Sequence, residues 1–124
     1  MPQGRLEHAN ISVTDPERSA ALLADLLGWE ERWRGPSMNE GRTIHIGSPG
    51  QYLALYSSAD VTGEYRKGQP LNHVAFAVDD LDAAQAVVEK HGLEPFNRGQ
   101  YDPGPETFYF LDWDGIEFEV VRYA

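Results

Sequence analysis

Three side chains in this sequence have the types and spacing to hold a divalent metal: His8, His73 and Glu119. The chain aligns with itself at an offset of 65 residues, which places His8 on His73, Asp15 on Asp80 and Gly50 on Gly115. The same offset sets Ala54 against Glu119, so two matching histidines accompany one unmatched carboxylate. Two imidazoles and a carboxylate form a facial triad that leaves coordination positions open for substrate, water or dioxygen. Ligands sit about 2 Å from such a metal, so the three must converge closely. The same pattern also describes two ordinary strand histidines and a core glutamate, and spacing alone does not choose between the readings. His45 and His91 lack the support of the repeat; His91 falls at a helix C-terminus, where it suits the helix dipole.

The elements that must position these residues follow from periodicity. Leu6 to Val13 alternates, with His8, Asn10 and Ser12 on one face and Ala9, Ile11 and Val13 on the other. Asp15-Pro16 then supplies an N-cap and a first-turn proline, and Gly28 ends a helix that turns Leu22, Leu23, Leu26 and Leu27 inward. The second half repeats the plan. Leu71 to Val78 alternates, Asp80 caps a helix carrying Leu81, Ala84, Val87 and Val88, and Gly92 closes it. Three strands are expected after each helix: Trp29–Trp33, Arg42–Ile46 and Tyr52–Ser57, then Leu93–Asn97, Thr107–Leu111 and Ile116–Tyr123. Each half is therefore βαβββ. The modules run from about 5 to 58 and from 71 to 124, joined by a polar linker over 59–70. Gly99 to Pro105 holds two prolines and two glycines and reads as a mobile rim loop.

Bulk properties narrow the function classes. At 124 residues the chain is one domain by length, spanning 1–124, and each half alone would be marginal. A net charge of −10 argues against nucleic acid or an anionic membrane as partner. The absence of cysteine excludes disulfides, thiolate zinc sites and cysteine nucleophiles. Neither an apolar leader nor a membrane-length apolar run is seen, so a cytoplasmic protein is expected.

Three runs carry a family resemblance. His8-Ala9-Asn10-Ile11-Ser12-Val13-Thr14-Asp15, with Leu27-Gly28-Trp29, resembles the opening of vicinal oxygen chelate proteins, which include glyoxalase I, extradiol dioxygenases, fosfomycin thiol transferases and bleomycin-resistance proteins. Leu71 to Leu81 is similar to the start of their second module, and Phe108 to Glu119 to their closing motif, whose last acid is a ligand. The resemblance implies an α+β fold in which two pseudo-symmetric βαβββ modules form a U-shaped, partly open barrel. It also implies a divalent cation, Fe2+, Mn2+ or Zn2+, on His8, His73 and Glu119, a small-molecule substrate, and a homodimer.

Departures from the family pattern direct the expected chemistry. Metal-dependent glyoxalases and epimerases of the family carry a fourth ligand at the position of Ala54, and alanine cannot coordinate. Tyr109, Asp112, Gly115 and Glu119 fit the extradiol signature, with Trp113 in place of its proline and Tyr101 nearest to its upstream histidine. Tyr109 would then donate a hydrogen bond in the active site. Asn10, Ser12, Tyr52, Tyr56 and Arg122 are further candidates to line the cleft. Tyr52 and Tyr56 flank Ala54 on its strand face, either walling a planar substrate or simply packing. The expectation is a metal-dependent enzyme, foremost an extradiol-like oxygenase. The alternatives are a metal-dependent thiol transferase, lyase or isomerase, or a non-catalytic drug-binding protein of the bleomycin-resistance type.

Overall fold

A computed structural model describes residues 3–123. Met1, Pro2 and Ala124, at the ends of the 1–124 span, lie outside the described residues. The chain divides into two compact units, with the division between Thr62 and Gly63.

The first unit contains β1 (His8–Ser12), α1 (Pro16–Leu27), β2 (Glu30–Ser37), β3 (Gly41–Ser48) and β4 (Gln51–Ser57). Asp15 caps α1 by accepting from the Arg18 amide, and Gly28 closes it at φ 67°. The four strands form one sheet in the order β1-β4-β3-β2, in which β1 and β4 run parallel. Alternation sends Ile11, Ile44, Ile46, Leu53 and Leu55 to one face, all buried, where α1 lays Leu22, Leu23 and Leu26 over them. The other face presents His8, Tyr52, Ala54 and His45.

The second unit repeats the order with β5 (Val74–Ala77), α2 (Leu81–Lys90), β6 (Phe96–Gln100), β7 (Glu106–Leu111) and β8 (Glu117–Arg122), arranged as β5-β8-β7-β6. Asp80 caps α2 through the Ala83 amide. Leu81, Ala84 and Val88 of the helix and Phe76, Phe108, Phe110, Phe118 and Val120 of the strands are buried together. Phe118 stacks on both Phe76 and Phe110 at 5.4 Å. The fold is therefore α+β, with two βαβββ modules each built on its own four-stranded sheet.

The differences from the sequence reading lie at strand ends. The strand expected over Leu71–Val78 is only Val74–Ala77, because its parallel partner β8 starts at Glu117 and pairs Phe118 with Val74. His73 therefore stands just before the ladder rather than inside it. The strand expected over Leu93–Asn97 forms at Phe96–Gln100, so Gly99 and Gln100 of the anticipated rim loop belong to an edge strand. The strand after α1 runs to Ser37, well past Trp33, since it pairs with the whole of β3.

Gly47 shows how the first sheet makes room on its polar face. It lies across from Tyr52, and a Cβ there would come within 2.6 Å of Tyr52 Cα and Cβ. Backbone contacts of that kind are not relieved by rotating a side chain. Its bare edge leaves the Tyr52 ring free to stack on His45 at 4.6 Å. Gly47→Ala is expected to destabilise the protein by about 1–3 kcal/mol, as overpacking does, read as a lower urea midpoint at unchanged slope.

Candidate functional site

The second module gathers most of the chemistry. Strand β8 is an interior strand, and alternation puts Glu117 and Glu119 on the face opposite the phenylalanine core. Both carboxylates are buried, at 5% and 7% exposure, and an unpaired buried charge is costly, so each must be answered. Glu119 Oε2 accepts from Thr107 Oγ1 at 2.7 Å and from the Tyr101 phenol at 3.5 Å. Its other oxygen, Oε1, faces His73 Nε2 at 3.1 Å. His73 Nδ1 lies 2.8 Å from Asn72 Oδ1. Nε2 and the carboxylate oxygen stand at a distance that calls for a proton or a cation between them.

Tyr109 pairs with Glu119 across β7 and β8, and its ring meets His73 edge-on at 5.9 Å. Its phenol hydrogen-bonds that of Tyr101, which the β6–β7 turn carries back over the sheet. That bond, with burial and the neighbouring Glu119 charge, pushes the Tyr109 pKa up, so the phenol keeps its proton and donates it to the Tyr101 oxygen. A cavity of about 450 Å³ opens here, lined by His73, Tyr101, Thr107, Tyr109, Phe96 and Lys67 among others.

The segment read from the sequence as a linker is partly built into this module. The Tyr65 amide donates to the Asp114 carbonyl, and the Tyr65 phenol to the Leu71 carbonyl. Gly115, at φ 86°, lies beneath it, and a Cβ there would stand 3.1 Å from the Tyr65 carbonyl oxygen. This seating carries Lys67 Nζ to 2.9 Å from Glu117 Oε2.

The first module presents the equivalent face with different residues. Register makes Tyr52 the counterpart of Glu117, Ala54 of Glu119, His45 of Tyr109 and Thr43 of Thr107. The His8 ring lies flat on Tyr52 at 4.6 Å, Tyr52 stacks in turn on His45, and the Arg32 guanidinium sits 4.6 Å from the Tyr52 centroid. His8 Nδ1 meets Glu7 Oε1 at 2.5 Å. Each repeat histidine thus sets Nδ1 against a side-chain oxygen of the residue before it. Thr43 is buried with its hydroxyl unpartnered, where Thr107 bonds Glu119.

The structure brings His73, Glu119 and Tyr109 together and sets His8 beside Tyr52. Among the described residues, no three His, Asp or Glu side chains form a metal-holding group. Asn10 is exposed, opposite Ala54. The Tyr56 phenol is committed to the Met38 carbonyl at 2.9 Å. Arg122 is a correction. It lies three residues from Glu119, so alternation turns it to the opposite face, where it binds the Asp79 carbonyl and lines a separate cavity with Asp82 and Arg98. Sequence reasoning did not single out Thr107, Glu117 or Lys67. Thr107 and Glu117 stood two residues from Tyr109 and Glu119 on the same strand faces, a signal that was available. Nothing local marked Lys67.

The donor types of His73 and Glu119 fit a divalent cation: imidazole and carboxylate ligands suit Fe, Mn and Zn alike, and imidazole ligands commonly set their second ring nitrogen against an oxygen, as His73 Nδ1 stands against Asn72 Oδ1.

A family model described as the glyoxalase/bleomycin resistance protein/dioxygenase superfamily matches residues 7–110. The chain belongs to this superfamily. It is 30% identical to the uncharacterized protein YaeR of Escherichia coli (strain K12), over 95% of each chain. Its fold is similar to that of a glyoxylase/bleomycin resistance protein/dioxygenase domain from Frankia sp. EAN1pec, with a TM-score of 0.84, 20% identity, and coverage of 99% of this chain and 100% of that one. It is also similar to the fosfomycin resistance protein FosX of Listeria monocytogenes, solved with Mn(II) and sulfate, with a TM-score of 0.75, 20% identity, and coverage of 100% and 95%. The superfamily includes enzymes, and no helix among the described residues is long and apolar enough to cross a membrane.

His45 allows a test of the first module. Burial, then the nearby His8 and Arg32 charges, hold its pKa below the ordinary 6.5. The unfolded chain then binds the proton more readily than the folded one, so stability is full above about pH 6.5 and falls as pH drops through that value. Melting temperature should decline between about pH 7.5 and pH 5.5 more steeply in the native protein than in His45→Gln. Parallel declines would remove His45 as the source.

Proposed function

We propose that this protein is a divalent-metal-dependent enzyme acting on a small oxygenated substrate, with His8, His73 and Glu119 as ligands. The observation that carries the reading is the matched pair of histidines. In both modules the residue before the histidine holds Nδ1, and in the second module Nε2 faces the buried Glu119 carboxylate at 3.1 Å. The repeat relates His8 to His73, which supports His8 as a ligand, and Ala54 offers no donor at the slot that Glu119 fills. FosX of Listeria monocytogenes, similar in fold, was solved with Mn(II).

A cation held there would supply Lewis acidity to substrate oxygens. The chain's own residues do the rest. Thr107 and Tyr101 hold the Glu119 carboxylate in one orientation, and Asn72 holds the His73 ring. Tyr109 keeps a protonated phenol at the cavity, and turning its O–H from Tyr101 would make it a hydrogen-bond donor for substrate oxygen as charge develops there. Phe96 and the Tyr109 ring, stacked at 5.9 Å, make a planar apolar wall beside it. A ring-bearing substrate with neighbouring hydroxyls suits that wall and donor, so an extradiol-type oxygenase is the leading form.

Elemental analysis of protein purified without chelators should find about one divalent metal per chain, as a single three-ligand site requires. His73→Ala and Glu119→Gln should each lower that content by about tenfold or more. Protein that holds no metal and gains none on titration would overturn the enzyme reading. Oxygen uptake on a catechol panel under iron is the expected activity. Silence there, with manganese-dependent thiol addition to an epoxide, would replace the oxygenase with a transferase.

A further inference from the structure

The strongest unassigned feature is the ion pair between Lys67 and Glu117. Glu117 shares its strand face with Glu119, yet nothing in the ligand set above uses it. Its side chain is 6% exposed, while that of Lys67 is 49% exposed. Lys67 comes from the segment between the modules, which the sequence marks only as polar linker. Backbone and phenol bonds of Tyr65, with Gly68 N donating to the Leu71 carbonyl, fold that segment into a strap on the second module.

We propose that Lys67 is a positioning residue for His73, acting through Glu117, so that the strap sets the metal affinity of the site. The inference rests on the reading of His73 and Glu119 as ligands. Glu117 Oε2 lies 2.9 Å from Lys67 Nζ and 3.8 Å from His73 Nδ1, on the side of the ring opposite Nε2. The carboxylate therefore stands behind the imidazole, beside the Asn72 oxygen that faces Nδ1. Held by Lys67, Glu117 keeps its oxygen at that distance and leaves Asn72 as the Nδ1 partner. Released from Lys67, a buried carboxylate must find another cation or donor. The nearest is the His73 ring, which would turn from Asn72 and swing Nε2 away from Glu119. His73 precedes β5 and is not fixed by a ladder, so its ring depends on such side-chain partners. The first module offers a contrast: the position equivalent to Glu117 is Tyr52, which fixes His8 by stacking instead of by charge.

The test is Mn(II) titration of the full chain by electron paramagnetic resonance, corrected for the folded fraction. Lys67→Met should weaken Mn(II) binding about tenfold or more, in the range that partners behind a metal-binding histidine commonly show. Lys67→Arg should recover most of that loss, which a purely structural defect at the strap would not. Glu117→Gln removes the carboxylate that would capture the ring, so it should weaken binding far less than Lys67→Met, and the double variant Lys67→Met/Glu117→Gln should recover most of the Lys67→Met loss, because the two act as one unit. Wild-type affinity in Lys67→Met, no recovery in Lys67→Arg, or additive losses in the double variant would each overturn the role of Lys67. His73→Ala separates the two failures. If it loses Mn(II) while Lys67→Met does not, only this inference falls. A wild-type chain that takes up no Mn(II) overturns both.

Discussion

Two carboxylates buried two residues apart on an interior strand are the constraint around which the second module is arranged. Glu117 and Glu119 share one face of β8, and the strand's other face is committed to Phe118 and Val120 in the core. Neither acid can turn to solvent without pulling the strand out of register. Each is therefore answered where it stands, by groups from four places: Thr107 on β7, Tyr101 on the β6–β7 turn, His73 ahead of β5 and Lys67 on the strap. Three of these elements are loops or element ends, whose paths follow from the need to deliver one side chain each. Glu119 keeps its other oxygen 3.1 Å from the His73 Nε2 nitrogen.

The first module shows the same backbone without that constraint. Its β4 carries Tyr52 and Ala54 at the two acid positions, so no charge has to be matched. Planar rings occupy the face instead, with His8, Tyr52 and His45 in one stack. The Thr43 hydroxyl is the trace of the difference. Its counterpart Thr107 donates to Glu119, whereas Thr43 is buried beside Ala54 with no acceptor. An unsatisfied buried hydroxyl is mildly destabilising, a cost consistent with a module that has exchanged its carboxylate while keeping the surrounding frame.

Elements with a periodic burden were legible in the sequence. Both helices begin at the aspartates that spacing and side-chain chemistry pick out, and Asp15 and Asp80 each accept from the amide three residues on. The His8, His73 and Glu119 pattern was legible because a repeat ties its histidines together. Strand ends were not, since pairing partners set them: β5 starts where β8 does, and this leaves His73 outside the ladder. Arg122 was misplaced although the strand's own alternation assigns it to the face of Val120. Lys67 could not be read, because a loop side chain reaches its partner across 50 residues and no local rule encodes that reach.

The repeat itself has survived differently on the two faces of each sheet. Positions that pack against the helices keep their character across the offset: Ile11 with Phe76, Leu53 with Phe118, Leu55 with Val120, Pro16 with Leu81, and Leu23 with Val88 are all buried. On the opposite faces Tyr52 stands for Glu117, Ala54 for Glu119, and His45 for Tyr109. Core positions are held by volume, since each buried methylene is felt in stability. The polar faces are held only by pairwise chemistry, so a carboxylate can be lost when its partners change with it. Within this superfamily fold, alternation along a strand thus separates stability from chemistry residue by residue. The histidine slot is the exception that matters. It is the one position on the polar faces where both modules keep an imidazole, and both orient it by the side chain immediately before it. Packing does not require that agreement, because His8 is stacked on a ring and His73 is edge-on to one.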